Sequence, residues 1–265
     1  MMVSIARKLE IASVPAIGVL AVTFGLIGFA AGVEWESAIA ETILNIAVIF
    51  SVSLVVVRIS AKSFLATGSS NVLLLGLAVF EFGFSAILGG FISSIDIAEG
   101  LEMYILGALF SSGLHLASGV LTYLGGPVRR THLRLRVWFS YSATAIFVLF
   151  LSFLVLNLSI LSSISQIGSF PERALIATVV GMLLASAFFF SRVYSRSHSP
   201  ILYWYSLALA TTSFAFFAFF ATQDNGDLAT WTGIGGLCLA SIYFLKSVLA
   251  APKTSSTSQG VSSTI

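Results

Sequence analysis

Eight apolar runs alternate with short polar segments along the chain: Ile11 to Val33, Ala38 to Val57, Val72 to Ile92, Met103 to Leu124, Val137 to Leu161, Ala174 to Phe190, Ile201 to Ala221 and Leu228 to Ala251. Each is close to the ~20 residues a helix needs to cross ~30 Å of hydrocarbon. The pattern predicts an all-α polytopic membrane bundle of eight transmembrane helices. The polar segments between the runs alternate in charge. Arg7, Lys8, Arg58, Lys62, Arg129, Arg130, Arg134, Arg136, Arg192, Arg196, Lys246 and Lys253 fall on one side, and only Arg173 on the other. Glu34, Glu36, Glu41, Asp96, Glu99, Glu102, Glu172, Asp224 and Asp227 lie opposite the basic set. The excess of Lys and Arg marks a cytoplasmic face. The expected topology is therefore a cell-membrane protein with both termini in the cytoplasm.

Composition narrows the class further. With 57% hydrophobic and 9% charged residues, the chain lacks the roughly one-quarter charged residues of an ordinary soluble domain. Its net charge of +2 sums two oppositely charged faces, so it gives no reason to expect nucleic acid. The basic face is expected to meet anionic lipid headgroups. The single cysteine, Cys238, excludes an internal disulfide or a thiolate metal site within one chain. It lies in the last run, where it reads as a packing residue. Arg7 and Lys8 resemble the start of a signal peptide, but the apolar stretch after them is too long, and it reads as a retained first helix.

No connection is long enough to fold alone, so residues 1–251 read as one bundle. The Ser/Thr-rich segment 252–265 has too few apolar residues to offset the entropy of ordering, and a disordered cytoplasmic tail is expected there. Spans two to four and six to eight look alike in outline. Arg58 and Lys62 match Arg192 and Arg196 in spacing, Ser70-Asn71-Val72-Leu73 sits like Ser199-Pro200-Ile201-Leu202, and the small pairs Gly107-Ala108 and Gly235-Gly236 follow. Such a repeat would be parallel, a 4+4 arrangement about an axis along the membrane normal. Chance similarity between greasy helices is the alternative.

Two ionisable residues stand out inside the runs, Glu81 in Phe80-Glu81-Phe82 and His115 in Leu114-His115-Leu116. A charged group in hydrocarbon costs several kcal/mol by most accounts, which makes an unpaired charge improbable at either place. Counting inward from Ile92 and Met103 puts both at one depth on consecutive antiparallel spans, and they read as a candidate intramembrane polar pair. Either the pair is proton-sensitive or ligand-binding, or it is a satisfied polar contact that fixes helix register. A lone interior histidine argues against a b-type haem, and Met103 and Met182 read as packing residues. A retinal Schiff base would need a lysine deep in a span. Lys246, near the cytoplasmic end of the last run, does not supply one. No cofactor and no metal are expected. No phosphate loop, metalloprotease motif or Ser/His/Asp set is present, so no enzyme is expected either.

Aromatic and small residues complete the pattern. Tyr203-Trp204-Tyr205, Trp138 and Tyr141 lie near the basic boundary and Trp35 and Trp231 near the acidic one, as interfacial belts would. Phe188, Phe189 and Phe190 and the phenylalanines from Phe214 to Phe220 read as lipid-facing or core filling. Gly76, Gly83, Gly89 and Gly90 would let helices approach closely.

From Pro200 the chain reads Pro-Ile-Leu-Tyr-Trp-Tyr-Ser-Leu-Ala-Leu-Ala, and Trp231-Thr232-Gly233 leads into Ile242-Tyr243-Phe244-Leu245. These segments resemble the multi-span N-terminal membrane region of archaeal and bacterial sensor histidine kinases. In that family a proline-initiated Leu-Tyr-Trp-Tyr-Ser helix precedes a Trp-x-Gly helix. Pro200, Tyr203, Trp204, Tyr205, Trp231, Gly233 and Tyr243 carry the likeness. The family's last helix has Arg, Gln and Tyr where this chain has Ile234, Leu237 and Cys238. A cytoplasmic output domain follows the last span in that family, whereas this sequence runs only as far as Ile265.

The resemblance implies a non-enzymatic, sensor-like membrane module that lacks its own output domain and acts through a protein partner or an oligomer. Loop residues Arg129, Arg130, His132, Arg134 and Arg136 are its candidate partner or lipid contacts. A structural or accessory subunit of a larger membrane complex is the alternative reading, and a small-solute transporter or channel the third.

Overall fold

The computed structural model describes residues 42–125, 131–157, 169–221 and 228–250. Within them lie seven helices: α1 (Thr42–Thr67), α2 (Ser70–Ser93), α3 (Ile97–Leu124), α4 (Leu133–Asn157), α5 (Phe170–Ser197), α6 (Pro200–Phe220) and α7 (Leu228–Leu249). No strand occurs among the described residues. All seven are long and apolar enough to cross a membrane, and the chain is a polytopic membrane protein. They correspond one to one with the second to eighth predicted spans. The first predicted span and the tail 252–265 lie outside the described residues.

Local chemistry sets the helix ends. Gly68 follows α1 with φ of +70°, and its N–H donates to Phe64 O at 2.7 Å. A left-handed residue at this position is what glycine permits at no steric cost. Asp96 caps α3, its side chain accepting from the backbone N–H groups of Ala98 and Glu99 at 2.8 and 3.2 Å. In α5, Ser169 accepts from the N–H of Glu172, and Pro171 sits in the first turn, where a missing N–H costs nothing. His198 takes the left-handed position after α5, and Pro200 then opens α6. Near its start α1 winds as a π-helix over Asn45–Phe50, which turns Asn45 and Ile49 inward.

Six helices close a ring. α1 packs on α2, α2 on α3, α3 on α5, α5 on α6 and α6 on α7, and α7 returns to α1. α4 stands outside this ring, mainly against α2 and α3. Close approach within the ring depends on small residues facing one another. A Cβ added at Gly76 would overlap Ser60 and the Tyr141 hydroxyl. One at Gly83 would overlap Ser53, and one at Gly107 would overlap Ser85. Lipid tails are as apolar as leucine, so helices in a membrane associate through such tight packing rather than by expelling water.

The main core fills the ring with Val56, Val79, Ile105, Ile176, Leu183, Leu209, Phe216 and Leu237 among others. A smaller core joins α4 to the ring through Met103, Leu106, Val148, Leu151 and Val155. Met103 is thus a packing residue, fully buried.

The interfacial-belt expectation requires correction for two tyrosines. Trp138 is 75% exposed, as a belt residue would be, but Tyr205 is fully buried. Tyr141 stacks edge-on against Phe80 and drives its hydroxyl into the gap left by Gly76. A three-residue aromatic run on a helix covers most of its circumference, so one member must face inward when the helix joins a bundle. Phe190 is likewise core, against the side of Tyr205, whereas Phe188 is exposed.

Candidate functional site

Hydrogen bonds between α2 and α3 fix how the two helices align. Ser111 Oγ donates to Ala78 O at 2.9 Å and Ser118 Oγ to Asn71 O at 2.9 Å, while Asn71 Nδ2 donates to Thr122 Oγ1 at 3.0 Å. Towards the acidic end Gly107 lies against Ser85. Glu81, between Ala78 and Ser85, is therefore level with about Leu109. That is six residues, or roughly 9 Å of helix rise, from His115.

The expected Glu81–His115 pair is not formed; the two residues hydrogen-bond elsewhere. The depth count began α3 at Met103, where hydropathy rises. The Asp96 cap instead starts the helix at Ile97 and carries Glu99 and Glu102 inside it, which shifts the register.

Glu81 is 1% exposed. Its Oε1 accepts from Ser85 Oγ, one turn along the same helix, at 3.1 Å. Its Oε2 has no hydrogen-bond partner among the described residues.

His115, 3% exposed, bonds across the ring. Its Nδ1 lies 2.6 Å from Tyr205 Oη on α6. Its ring stacks on Phe244 of α7, with centroids 5.6 Å apart and planes 7° from parallel. Tyr205 is enclosed in turn by edge contacts from Phe190 and Phe244, at 4.7 and 5.2 Å. Four helices, α3, α5, α6 and α7, thus meet around one imidazole.

Beside this group lies a partly open cavity of about 20 Å³ to which all six helices of the ring contribute. Ile49 and Val52 come from α1, Val79 and Phe82 from α2, Ala108, Ser111 and His115 from α3, and Leu183 from α5. Thr212 and Phe216 of α6 and Leu237, Ala240, Ser241 and Phe244 of α7 complete the wall. The lining is apolar except for one imidazole and three hydroxyls.

The residues that carry the family resemblance are brought together in part. Tyr203 packs on Tyr194 of α5 at 5.4 Å and on Trp204 at 5.3 Å. Trp204 meets Tyr243 of α7 at 5.9 Å, with Lys246 Nζ 4.6 Å from its ring centroid. Tyr205 and Phe244, the next residue along each of these two helices, belong instead to the cluster around His115. Gly233 accommodates the Phe219 ring, Trp231 is half-buried in the first turn of α7, and Pro200 starts α6. Of the basic loop candidates, His132 is exposed in a left-handed conformation (φ 53°), Arg134 is exposed and Arg136 half-buried at the start of α4. They belong to the helix outside the ring. Arg129 and Arg130 lie outside the described residues.

Sequence reasoning missed the role of Tyr205 and the three cavity hydroxyls. A signal was present: Tyr205, Ala208, Leu209, Thr212, Ser213 and Phe216 recur at helical spacing and are all buried. That stripe of small and polar residues marks the inward face of α6. Among the described residues no group of three or more His, Cys, Asp or Glu side chains could hold a metal ion. No protein-family model, curated protein or solved structure was found to match the chain.

Proposed function

We propose that this polytopic membrane protein is a non-enzymatic, sensor-like module in which a change at the His115–Tyr205 site is passed along α6 and α7 to their basic ends, and from there to a partner. The observation that carries this reading is that α6 and α7 each set two successive aromatic residues into two neighbouring clusters, one on the imidazole and one beside it. Tyr205 and Phe244 touch the buried imidazole, while the residues that precede them, Trp204 and Tyr243, pack on each other, with Lys246 of the last turn of α7 over the Trp204 ring. Making or breaking the interior bond biases the packing of that pair, and a bundle with two discrete packings can serve as a switch. The basic end is taken as cytoplasmic on the charge rule.

Spin labels test the coupling directly. With Cys238 replaced by alanine, labels at Ser195→Cys on α5 and Leu249→Cys on α7 report the separation of the basic ends. Tyr205→Phe, which removes the hydroxyl and keeps the ring, is expected to shift or broaden the distance distribution. An unchanged distribution would rule out transmission from this site.

The ring itself favours a second reading. Helices α1 to α3 and α5 to α7 follow one another in the order that a parallel three-helix repeat would give, and both halves open with a two-residue link whose first residue is left-handed, Gly68 or His198. Parallel repeats around a midplane cavity are a transporter arrangement. Solute uptake into vesicles carrying the purified protein would support transport. A fixed stoichiometry with other membrane subunits on mild purification would support an accessory role instead.

A further inference from the structure

The polar groups around the central cavity form an incomplete set. Tyr205 is fully buried and its one hydrogen bond is to His115 Nδ1. A phenol has a single proton to donate. If Nδ1 carried a proton, the Tyr205 hydroxyl would have no acceptor for its own in an apolar interior, which is costly. Tyr205 Oη–H therefore donates to Nδ1. In the neutral imidazole this leaves the proton on Nε2, and Nε2 has no hydrogen-bond partner among the described residues.

The three hydroxyls on the cavity wall have the opposite need. Ser111 donates to Ala78 O, Thr212 to Ala208 O and Ser241 to Leu237 O, each at 2.9 Å. Their protons are committed to backbone carbonyls, so each offers only lone pairs.

We infer that this cavity is a binding site for a single water molecule, which accepts from His115 Nε2–H and donates to two of the hydroxyl oxygens of Ser111, Thr212 and Ser241. Size and chemistry both fit. About 20 Å³ exceeds the ~10 to 15 Å³ one water requires, and the site offers the two to four polar partners that buried waters normally have. A small apolar molecule would leave the Nε2 proton unpaired, and a cation would meet that proton head on. The water links α3 to α6 or α7 by hydrogen bonds and completes the ring of contacts around the imidazole. The inference rests on the cavity alone and stands whether or not the site senses anything.

Solid-state NMR of ¹⁵N-histidine-labelled protein in bilayers tests it. In a His132→Gln/His198→Gln background the only remaining histidine is His115. The expected spectrum shows Nε2 protonated and Nδ1 unprotonated, with magnetisation passing rapidly from water to the Nε2 proton. Thr212→Val with Ser241→Ala, both close in shape to the native residues, should slow that transfer severalfold. Protonation at Nδ1, or an Nε2 proton with no transfer from water while the cavity takes up xenon, would overturn the proposal. If the double variant does not fold, the measurement on the native cavity decides. A water found here together with an unchanged spin-label distance would refute signalling and leave the water site intact.

Discussion

The most apolar 18-residue stretches of α2 and α4 have the same mean hydropathy, 2.1, yet 61% of that stretch is buried within the protein in α2 against 22% in α4. What separates these stretches is the size of their side chains. α2 carries Gly76, Ala78, Gly83, Ser85, Ala86, Gly89 and Gly90 on faces that meet α1 and α3. Over Leu133–Asn157 α4 has no glycine, and it presents Trp138, Phe139, Ile146, Phe150 and Phe153 outward. In water the more apolar helix would take the centre. In a bilayer both surroundings are oily, and the centre goes to the helix whose backbone can be approached. Hydropathy therefore finds the spans, and small residues rank them from the inside out.

The largest test of this contrast is a bulky residue in the tight helix. Gly107→Leu places a side chain where α3 meets Ser85 of α2. It should destabilise the bundle by about 3 kcal/mol or more, or prevent folding, as read from unfolding in detergent. A loss below 1 kcal/mol would show that the two helices are not held at close range.

Next comes the interior bond. Tyr205→Phe should cost about 0.6 to 2 kcal/mol. Combined with His115→Phe it should lose less than the sum of the single changes, because removing both partners strands no polar group. Additive losses would mean that the two side chains do not bond.

A smaller effect separates the two buried ionisable residues. Glu81→Gln and His115→Ala should be additive to within about 0.5 kcal/mol, since they share no hydrogen-bond partner. Coupling above 1 kcal/mol would restore the pair expected from span counting. Least of all, Phe150→Leu on the outer face of α4 should change stability by no more than about 0.5 kcal/mol. A larger loss would show that something more specific than lipid covers that face.

Seven of the eight expected spans could be compared with described helices, and their order was legible because each needs only a long apolar run. Pairing across helices was not legible, and Glu81 and His115 show why. Met103 marks where the chain becomes apolar, but Asp96 marks where α3 begins. An acidic first turn is apolar by no measure, yet it is good helix because carboxylates suit an N-terminus. Six residues of helix were therefore invisible to hydropathy, enough to move His115 out of reach of Glu81. Tyr205 failed for a related reason. Near a predicted boundary an amphipathic ring reads as a belt residue, and only its spacing from Ala208, Thr212 and Phe216 shows that it points inward. The cavity hydroxyls look like ordinary serines and threonines, which in membrane helices commonly return their protons to their own backbone. Their importance comes from what they leave free.

The contacts of Ser53 with Gly83 and of Ser60 with Gly76 recur at an interval of seven residues in both helices. A heptad interval keeps one seam in register along a gently coiled pair. At both contacts a serine sits directly on a glycine, and sliding one helix along the other would drive serine into a Cα. The hairpin is thus suited to act as a stator. Under the proposed switch, the moving part is then the opposite wall, with α6 and α7 tilting as a blade about the imidazole.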